Sequence, residues 1–214
     1  SRLFKEYRDP GSFYEIIPYW AIAFNGMAML AYIITIFGIS SYRYWRSIGG
    51  ISSKPHLGFF IRGLWDAISH RYFRGGDAGC SYPGERPKLI RLYLHLSIFI
   101  GLILAILSTI TAAIYQEILG ILPPYSRSSP PVVLGTAGGI LIIAGSTGLL
   151  YLKQKASKEL ISRAMIDLDV YMLALLDLIA ITGVLTMIFR ETIYMGLIFV
   201  IHMGLVVALF IIAP

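Results

Sequence analysis

Apolar positions along this chain fall into five long blocks separated by polar or basic stretches. The blocks run from about Ile17 to Ile39, Leu92 to Tyr115, Val132 to Leu152, Val170 to Phe189 and Ile193 to Ala213. A helix needs ~20 such residues to cross ~30 Å of hydrocarbon, and each block meets that length. The blocks are continuously apolar and do not alternate at every second position, which argues against a transmembrane barrel of strands. The pattern therefore predicts an all-α integral membrane protein. Its about five transmembrane helices form a single membrane domain over residues 1–214.

The longest gap, residues 40–91, carries its own pattern. Leu57, Phe60, Ile61, Leu64, Trp65, Ile68 and Tyr72 recur at helical spacing, while Arg62, Asp66 and His70 follow one another at i+4 on another face. This predicts a short amphipathic helix lying in the membrane interface. A helix packed on a soluble partner would show the same periodicity. Gly75 to Gly84 follows as a turn-rich loop, and Leu122-Pro123-Pro124-Tyr125 begins a stiff connection before the third span.

Composition agrees with the pattern. Of 214 residues, 57% are apolar and 14% charged, whereas soluble domains carry roughly 25% charged residues. An ordinary water-facing surface is excluded. The net charge of +6 does not indicate nucleic acid, because the basic residues sit in the gaps between spans and report topology instead. Nine Lys and Arg occupy the 40–91 gap, from Arg43 to Arg91, and Lys153, Lys155, Lys158 and Arg163 follow the third span. These two loops lie on one side. Arg127, Arg190 and the N-terminal Arg2, Lys5 and Arg8 lie on the other. The positive-inside rule puts the first set in the cytoplasm, residue 1 outside and residue 214 inside, as a multi-pass protein of the cell membrane. The chain starts at Ser1 and stops at Pro214 without a charged flank, so it is expected to belong to a longer protein. A single cysteine, Cys80, excludes an internal disulfide and a thiolate cluster.

Ionisable groups inside a span are costly and raise a functional question. His95 lies about one turn inside the second span and His202 near the middle of the fifth. Imidazole is an axial ligand of haem; the alternative for each is a hydrogen bond between helices. The offset in depth between the two, ~13 Å at 1.5 Å per residue, argues against their ligating one haem together. No His-x-x-x-His or Cys/His cluster supports zinc. Asp177, two turns into the fourth span, reads either as a proton-relay or quinone-site acid or as a neutral carboxyl bonded to Ser, Thr or backbone. Gly135 and Gly139 form a small-xxx-small pair that permits close approach of another helix or of a porphyrin face.

Several of these stretches resemble one family. Gly75-Gly76-Asp77-Ala78-Gly79-Cys80-Ser81-Tyr82-Pro83 is similar to the Gly-Gly-Gly-x-Gly-Cys-x-Tyr-Pro loop of the tricarballylate utilisation protein B family. Arg91 to His95 resembles the start of that family's next helix, where a His-His pair stands; here the second position is Leu96. Ser108-Thr109 and Tyr115 fit the same helix, with Gln116 where the family often has His. Leu134 to Gly139, Arg190-Glu191-Thr192 and His202-Met203-Gly204 fit as well.

The resemblance implies a membrane electron-transfer subunit. A ferredoxin-like Fe–S domain, upstream or on a partner, would take electrons from a flavoprotein dehydrogenase, and the helical part would pass them through one or two b-type haems to quinone. The layout is also similar to the haem-bearing gamma subunit of nitrate reductases, where paired histidines on two helices face each other. His95 and His202 match one from each pair, and the family's further histidine falls just beyond the position of Pro214. On this reading His95 ligates haem opposite that further residue, while His202 either ligates a second haem or holds a hydrogen bond. Gly75, Gly76, Gly79, Cys80, Tyr82 and Pro83 are the expected docking surface for the electron donor. The dehydrogenase active site would lie on the partner. Two rivals come from other classes: a haem-free membrane anchor that docks a soluble partner, and a transporter component. The second rival lacks the paired broken helices of such folds.

Overall fold

A computed structural model describes residues 2–49, 57–69, 71, 89–155 and 163–212, with side chains given from residue 168 onward in the last of these stretches. After a short 3-10 turn at Ser12–Glu15 the described residues form six α-helices: α1 Tyr19–Ser47, α2 Leu57–Ile68, α3 Ile90–Glu117, α4 Pro130–Gln154, α5 Arg163–Ile188 and α6 Met195–Ile212. No strand occurs among the described residues. Five helices are long and apolar enough to span a membrane: α1, α3, α4, α5 from Leu168 onward, and α6. The expected bundle is observed, and the protein is a multi-pass membrane protein by the length and composition of these helices.

Local sequence explains the helix ends. Pro130 and Pro131 occupy the first turn of α4, where a missing N–H costs nothing. Gly49 and Gly120 follow α1 and α3 with φ of 89° and 67°, a left-handed conformation that only glycine adopts freely. The predicted amphipathic helix forms as α2, Leu57–Ile68; Tyr72 of the same pattern lies outside the described residues.

α3, α4, α5 and α6 pack in chain order, each on the next. Named contacts fix an antiparallel register for α3 on α4. Leu94 meets Gly145 and Gly148, Gly101 meets Gly138, and Ser108 meets Gly135. On the other face of α4, Gly139 meets Val184, Ser146 meets Asp177 and Lys153 meets Asp169. The glycines act as helix–helix contacts. A Cβ on Gly101 would lie 2.7 Å from the Gly138 carbonyl oxygen, and one on Gly145 would lie 2.6 Å from the Leu94 carbonyl oxygen. In lipid, apolar side chains gain nothing by leaving the solvent, so close backbone packing and interhelical hydrogen bonds hold helices together. Ser97 supplies one such bond to the Leu141 carbonyl (2.7 Å) and Ser108 another to the Pro131 carbonyl (2.6 Å). The Gly135/Gly139 pair does not serve one neighbour as a small-xxx-small motif would. Gly135 faces α3 and Gly139 faces α5: the two are offset by only about 40° around the axis, so the pair sits at the border between the two neighbouring helices.

The N-terminal stretch folds back onto one end of this bundle. Tyr7 is 1% exposed and Met195 0%. The Leu3 carbonyl would lie 2.9 Å from a Cβ on Gly196. The Gly11 N–H donates to the Pro123 carbonyl at 2.6 Å, and Tyr14 hydrogen-bonds Gln116.

Candidate functional site

A partly open cavity of about 430 Å³ lies between α3, α4, α5 and α6. Its α3 wall is Ala105, Ser108 and Thr109; its α4 wall includes Gly135, Gly139 and Ile142. From α5 come Ile179, Gly183 and Thr186, from the turn after it Arg190, and from α6 His202. Pro123, Pro124 and Tyr125 close it from the α3–α4 connection, and Phe13 from the N-terminal stretch. A larger hollow of about 590 Å³ lies on the flank of α1, but its lining comes from that helix alone and encloses nothing. A mostly apolar cavity with a few convergent polar groups is the ordinary form of a small-molecule site.

Glycine keeps this space open. Three of its wall positions, Gly135, Gly139 and Gly183, have no side chain, and a Cβ at each would come within 3.0 Å of a neighbouring side chain. The polar groups gather at the end bearing the N-terminal stretch. The Arg190 guanidinium donates to the Tyr125 carbonyl, and the Tyr125 hydroxyl donates to the Ala112 carbonyl at 3.1 Å. Burial holds the Arg190 guanidinium below its ordinary range; Glu191 partly offsets this and Arg127 adds to it. Burial, followed by Tyr125, Tyr19 and Glu117, pushes the Tyr14 hydroxyl up to about 12. At the rim Arg127 and Glu191 form an exposed ion pair of 2.9 Å.

His202 stands in the cavity wall. Its Nδ1 lies 3.0 Å from the Ile179 carbonyl oxygen and 3.2 Å from the Thr182 hydroxyl. Of its two readings, the hydrogen bond between helices is the one observed. An N–H on Nδ1 bonded to a carbonyl also fixes the tautomer of a metal-ligating imidazole, so the geometry is compatible with both. His95 sits elsewhere. It follows Leu94, which is level with Gly145 and Gly148, whereas His202 is level with Gly183, whose neighbour Val184 meets Gly139. Those α4 positions differ by six to nine residues, an offset of roughly 10 Å along the axis. The structure does not bring the two histidines together, and a haem ligated by both does not fit. Among the described residues no group of three or more His, Cys, Asp or Glu gathers into a metal site.

Asp177 is held by α4. The Ser146 Oγ lies 2.6 Å from Asp177 Oδ1, and the Thr147 Oγ1 lies 3.1 and 3.2 Å from Oδ1 and Oδ2. The expected Ser and Thr partners are therefore present, although sequence reading had not identified which they were. The signal was the Ser146-Thr147 pair inside an apolar span. The Cys80 loop, with Gly75, Gly76, Gly79, Tyr82 and Pro83, lies outside the described residues, as do Lys54, Arg74 and Lys158. The parts played by Phe13, Tyr125 and Arg190 in closing the cavity were missed by the sequence reading.

Comparison with known proteins bears out the family resemblance. The family model described as "Citrate utilization protein B" matches residues 1–214. The citrate utilization protein B of Escherichia coli is 33% identical over 207 residues, which is 95% of this chain and 54% of that protein. The chain thus spans about half the length of the curated relative it matches. No solved structure matches. With the whole chain covered by the family model and a third of its residues shared with that relative, this protein belongs to the citrate utilization protein B family.

Proposed function

We propose that this chain is the membrane electron-transfer part of a citrate or tricarballylate utilisation system, passing electrons from a cytoplasmic flavoprotein dehydrogenase and its Fe–S domain to quinone in the cell membrane. The observation that carries this reading is the cavity itself. It is bordered by four spans, mostly apolar, and supplied with Arg190, Tyr125, Ser108 and His202 as polar groups. A quinone has an apolar tail and a head that accepts hydrogen bonds, which is the chemistry such a cavity takes. The name of the Escherichia coli relative supplies the metabolic context.

A b-type haem, held by His95 and a donor from outside the described residues, would supply the one-electron chemistry between the donor and quinone. This chain's own residues shape the cavity, keep lipid out of it and present hydrogen-bond donors. The glycine and cysteine loop from Gly75 to Pro83, flanked by Arg74 and Arg86, is the proposed docking surface for an acidic donor.

The second reading is a haem-free membrane anchor. It is favoured by the hydrogen bond of His202 to Ile179, which accounts for that imidazole without a metal. A reduced-minus-oxidised absorption spectrum of the intact purified protein separates the two. The expected result is a haem signal that is lost in His95→Ala and kept in His202→Ala. A wild-type protein without haem establishes the anchor reading; full haem in His95→Ala rejects the assignment of that ligand.

A further inference from the structure

Ser146 is 0% exposed, and its single hydroxyl makes two short contacts. Its Oγ lies 2.6 Å from the Ile142 carbonyl oxygen one turn back on α4 and 2.6 Å from Asp177 Oδ1 on α5. A hydroxyl has one proton to donate. The carbonyl can only accept. An ionised carboxylate can only accept as well. If Asp177 were ionised, one of the two contacts would set lone pair against lone pair at 2.6 Å. If Asp177 carries a proton on Oδ1, the chain closes. The Asp177 O–H donates to Ser146, Ser146 donates to Ile142, and Thr147, 3.2 Å from Oδ2, donates to the remaining carboxyl oxygen. A span gives the neutral form a further advantage, because an ionised carboxylate in hydrocarbon is costly.

The position of this acid matters as much as its state. Ile142 and Ile179 line the cavity. Asp177 is two residues before Ile179 and three before Ala180, so it lies roughly 3–5 Å below the cavity floor along α5. The same α4–α5 seam continues away from the cavity to the Lys153–Asp169 pair, 2.6 Å long, at the end of the bundle opposite Arg190. Other ionisable groups on the surrounding helices include Arg91, Tyr93, His95, Tyr115 and Glu117 on α3, Tyr151 and Lys153 on α4 with Lys155 just past its end, Asp169 and Tyr171 on α5, and His202 on α6, whose Nδ1 is engaged with Ile179. Among the described residues no cation pairs with Asp177.

We infer that Asp177, held by Ser146 and Thr147, is a neutral carboxylic acid that supplies a proton to the quinone reduced in the adjoining cavity. The inference rests on the proposed quinone chemistry and adds the proton donor to it. Reduction of one quinone takes two electrons and two protons. Both electrons come from the dehydrogenase. One proton leaves Asp177 for a quinone oxygen, leaving a carboxylate to which Thr147 donates until a proton from the water at the Lys153 and Asp169 end restores it. The second proton comes from water at the Arg190 end. Each quinone oxygen gains one O–H bond and each proton is accounted for.

The test uses the intact protein in liposomes with ubiquinone, and two readouts. Infrared difference spectroscopy should show a protonated carboxyl C=O band that is present in wild type and absent in Asp177→Asn. Asn is nearly isosteric and can donate to Ser146 while accepting from Thr147, so folding should be kept. In Ser146→Ala the band should shift, because the O–H loses its acceptor; this keeps the assignment testable if Asp177→Asn does not fold. Donor-driven quinol formation should fall at least about tenfold in Asp177→Asn, in line with loss of a general acid, while electron entry into the protein stays at the wild-type rate. Asp177→Glu should recover part of the loss. Absence of the wild-type band, or quinol formed at an equal rate by Asp177→Asn, overturns the inference. A wild-type protein that never reduces quinone, yet shows the band, rejects the proposed function instead and reduces Asp177 to a structural acid.

Discussion

α4 and α1 are both long apolar helices with glycines, yet they behave oppositely. α4 has Pro131, Gly138, Gly139, Ile142, Gly145 and Ser146 buried between α3 and α5. α1 buries no residue at all. Gly26 and Gly38 of α1 have nothing within 4 Å of an added Cβ, whereas Gly138 has the Gly101 carbonyl at 2.8 Å. The difference is not hydrophobicity, since lipid solvates both helices equally well. It lies in what faces the glycine. Gly138 and Gly145 are opposed by Gly101 and the Leu94 backbone, and cross-helix bonds from Ser97 and Ser108 sit along the same seam. Past its first residue, Tyr19, whose hydroxyl reaches Glu117 at the end of α3, α1 turns Asn25 and Thr35 on itself: Asn25 bonds the Ala21 carbonyl and Thr35 the Ala31 carbonyl. A small residue thus becomes a packing site only where a second backbone and a satisfied polar group meet it.

The largest effect expected from this contrast is at Gly101. A valine there drives Cβ to 2.7 Å from both the Gly138 carbonyl oxygen and Ile142 Cγ1. Backbone cannot yield as a flexible side chain can, so α3 and α4 must separate. Overpacking of this kind costs about 1–3 kcal/mol or more. Unfolding of Gly101→Val in mixed micelles should show at least that loss. A second valine at Gly138 should add much less than its single cost, because the helices are already parted. Full additivity would mean that the two glycines do not share one contact.

A smaller effect is expected where α5 meets α6. His202 bonds the Ile179 carbonyl at 3.0 Å and touches Thr182. Interhelical hydrogen bonds in membranes are worth about 0.6 kcal/mol on average and up to about 1.7. His202→Leu should lose stability within that range. It should also bring an apolar side chain into the wall of the cavity, weakening binding of a quinone analogue measured by calorimetry. Loss of stability far above that range would show that the imidazole holds more than a hydrogen bond.

These contrasts show how much was legible beforehand. Five spans and their order followed from block length, because in hydrocarbon every backbone group must be satisfied within its own helix, whereas α1 runs on from Ile39 to Ser47 and α5 begins at Arg163 rather than Val170. Membership of the family was legible in the Gly75 to Pro83 loop and in Leu134 to Gly139. Which glycines touch which helix was not. Gly135 and Gly139 have the right spacing, but Gly138 and Gly145 carry the tightest approach to α3, since partner choice depends on the facing helix and not on spacing within one chain. The cavity was only half visible. His202 and Asp177 stand out as polar residues in apolar runs, while Phe13, Tyr125 and Arg190 reach it from connections whose paths periodicity does not encode.

The rim of the cavity should respond less than its walls. Arg127 and Glu191 pair at 2.9 Å with both side chains more than half exposed. Exposed pairs contribute about 0–1 kcal/mol and are screened by salt. Arg127→Ala should therefore change stability by less than His202→Leu does, and the difference should vanish at high ionic strength. A salt-independent loss would place the pair in a drier setting than its exposure indicates.

The smallest effect belongs to α1 and tests the comparison from its other side. Gly26 has open space where a Cβ would go, as has Gly38. Gly26→Ala introduces no contact within the chain and removes the conformational freedom that glycine brings to a helix, a gain of up to about 1 kcal/mol in water. Within a bilayer the helix is already enforced by its own hydrogen bonds, so most of that gain should disappear. The expected outcome is unfolding indistinguishable from wild type, in contrast to the loss at Gly101. Bulk sharpens the test: Gly26→Leu should be tolerated as well, since nothing faces it. Electron delivery and self-association should be followed alongside stability. If Gly26→Leu leaves the isolated chain intact but lowers electron delivery, α1 packs on another component of the assembly through this face. If it destabilises the chain itself, α1 is part of the bundle, and the contrast with α4 drawn here fails.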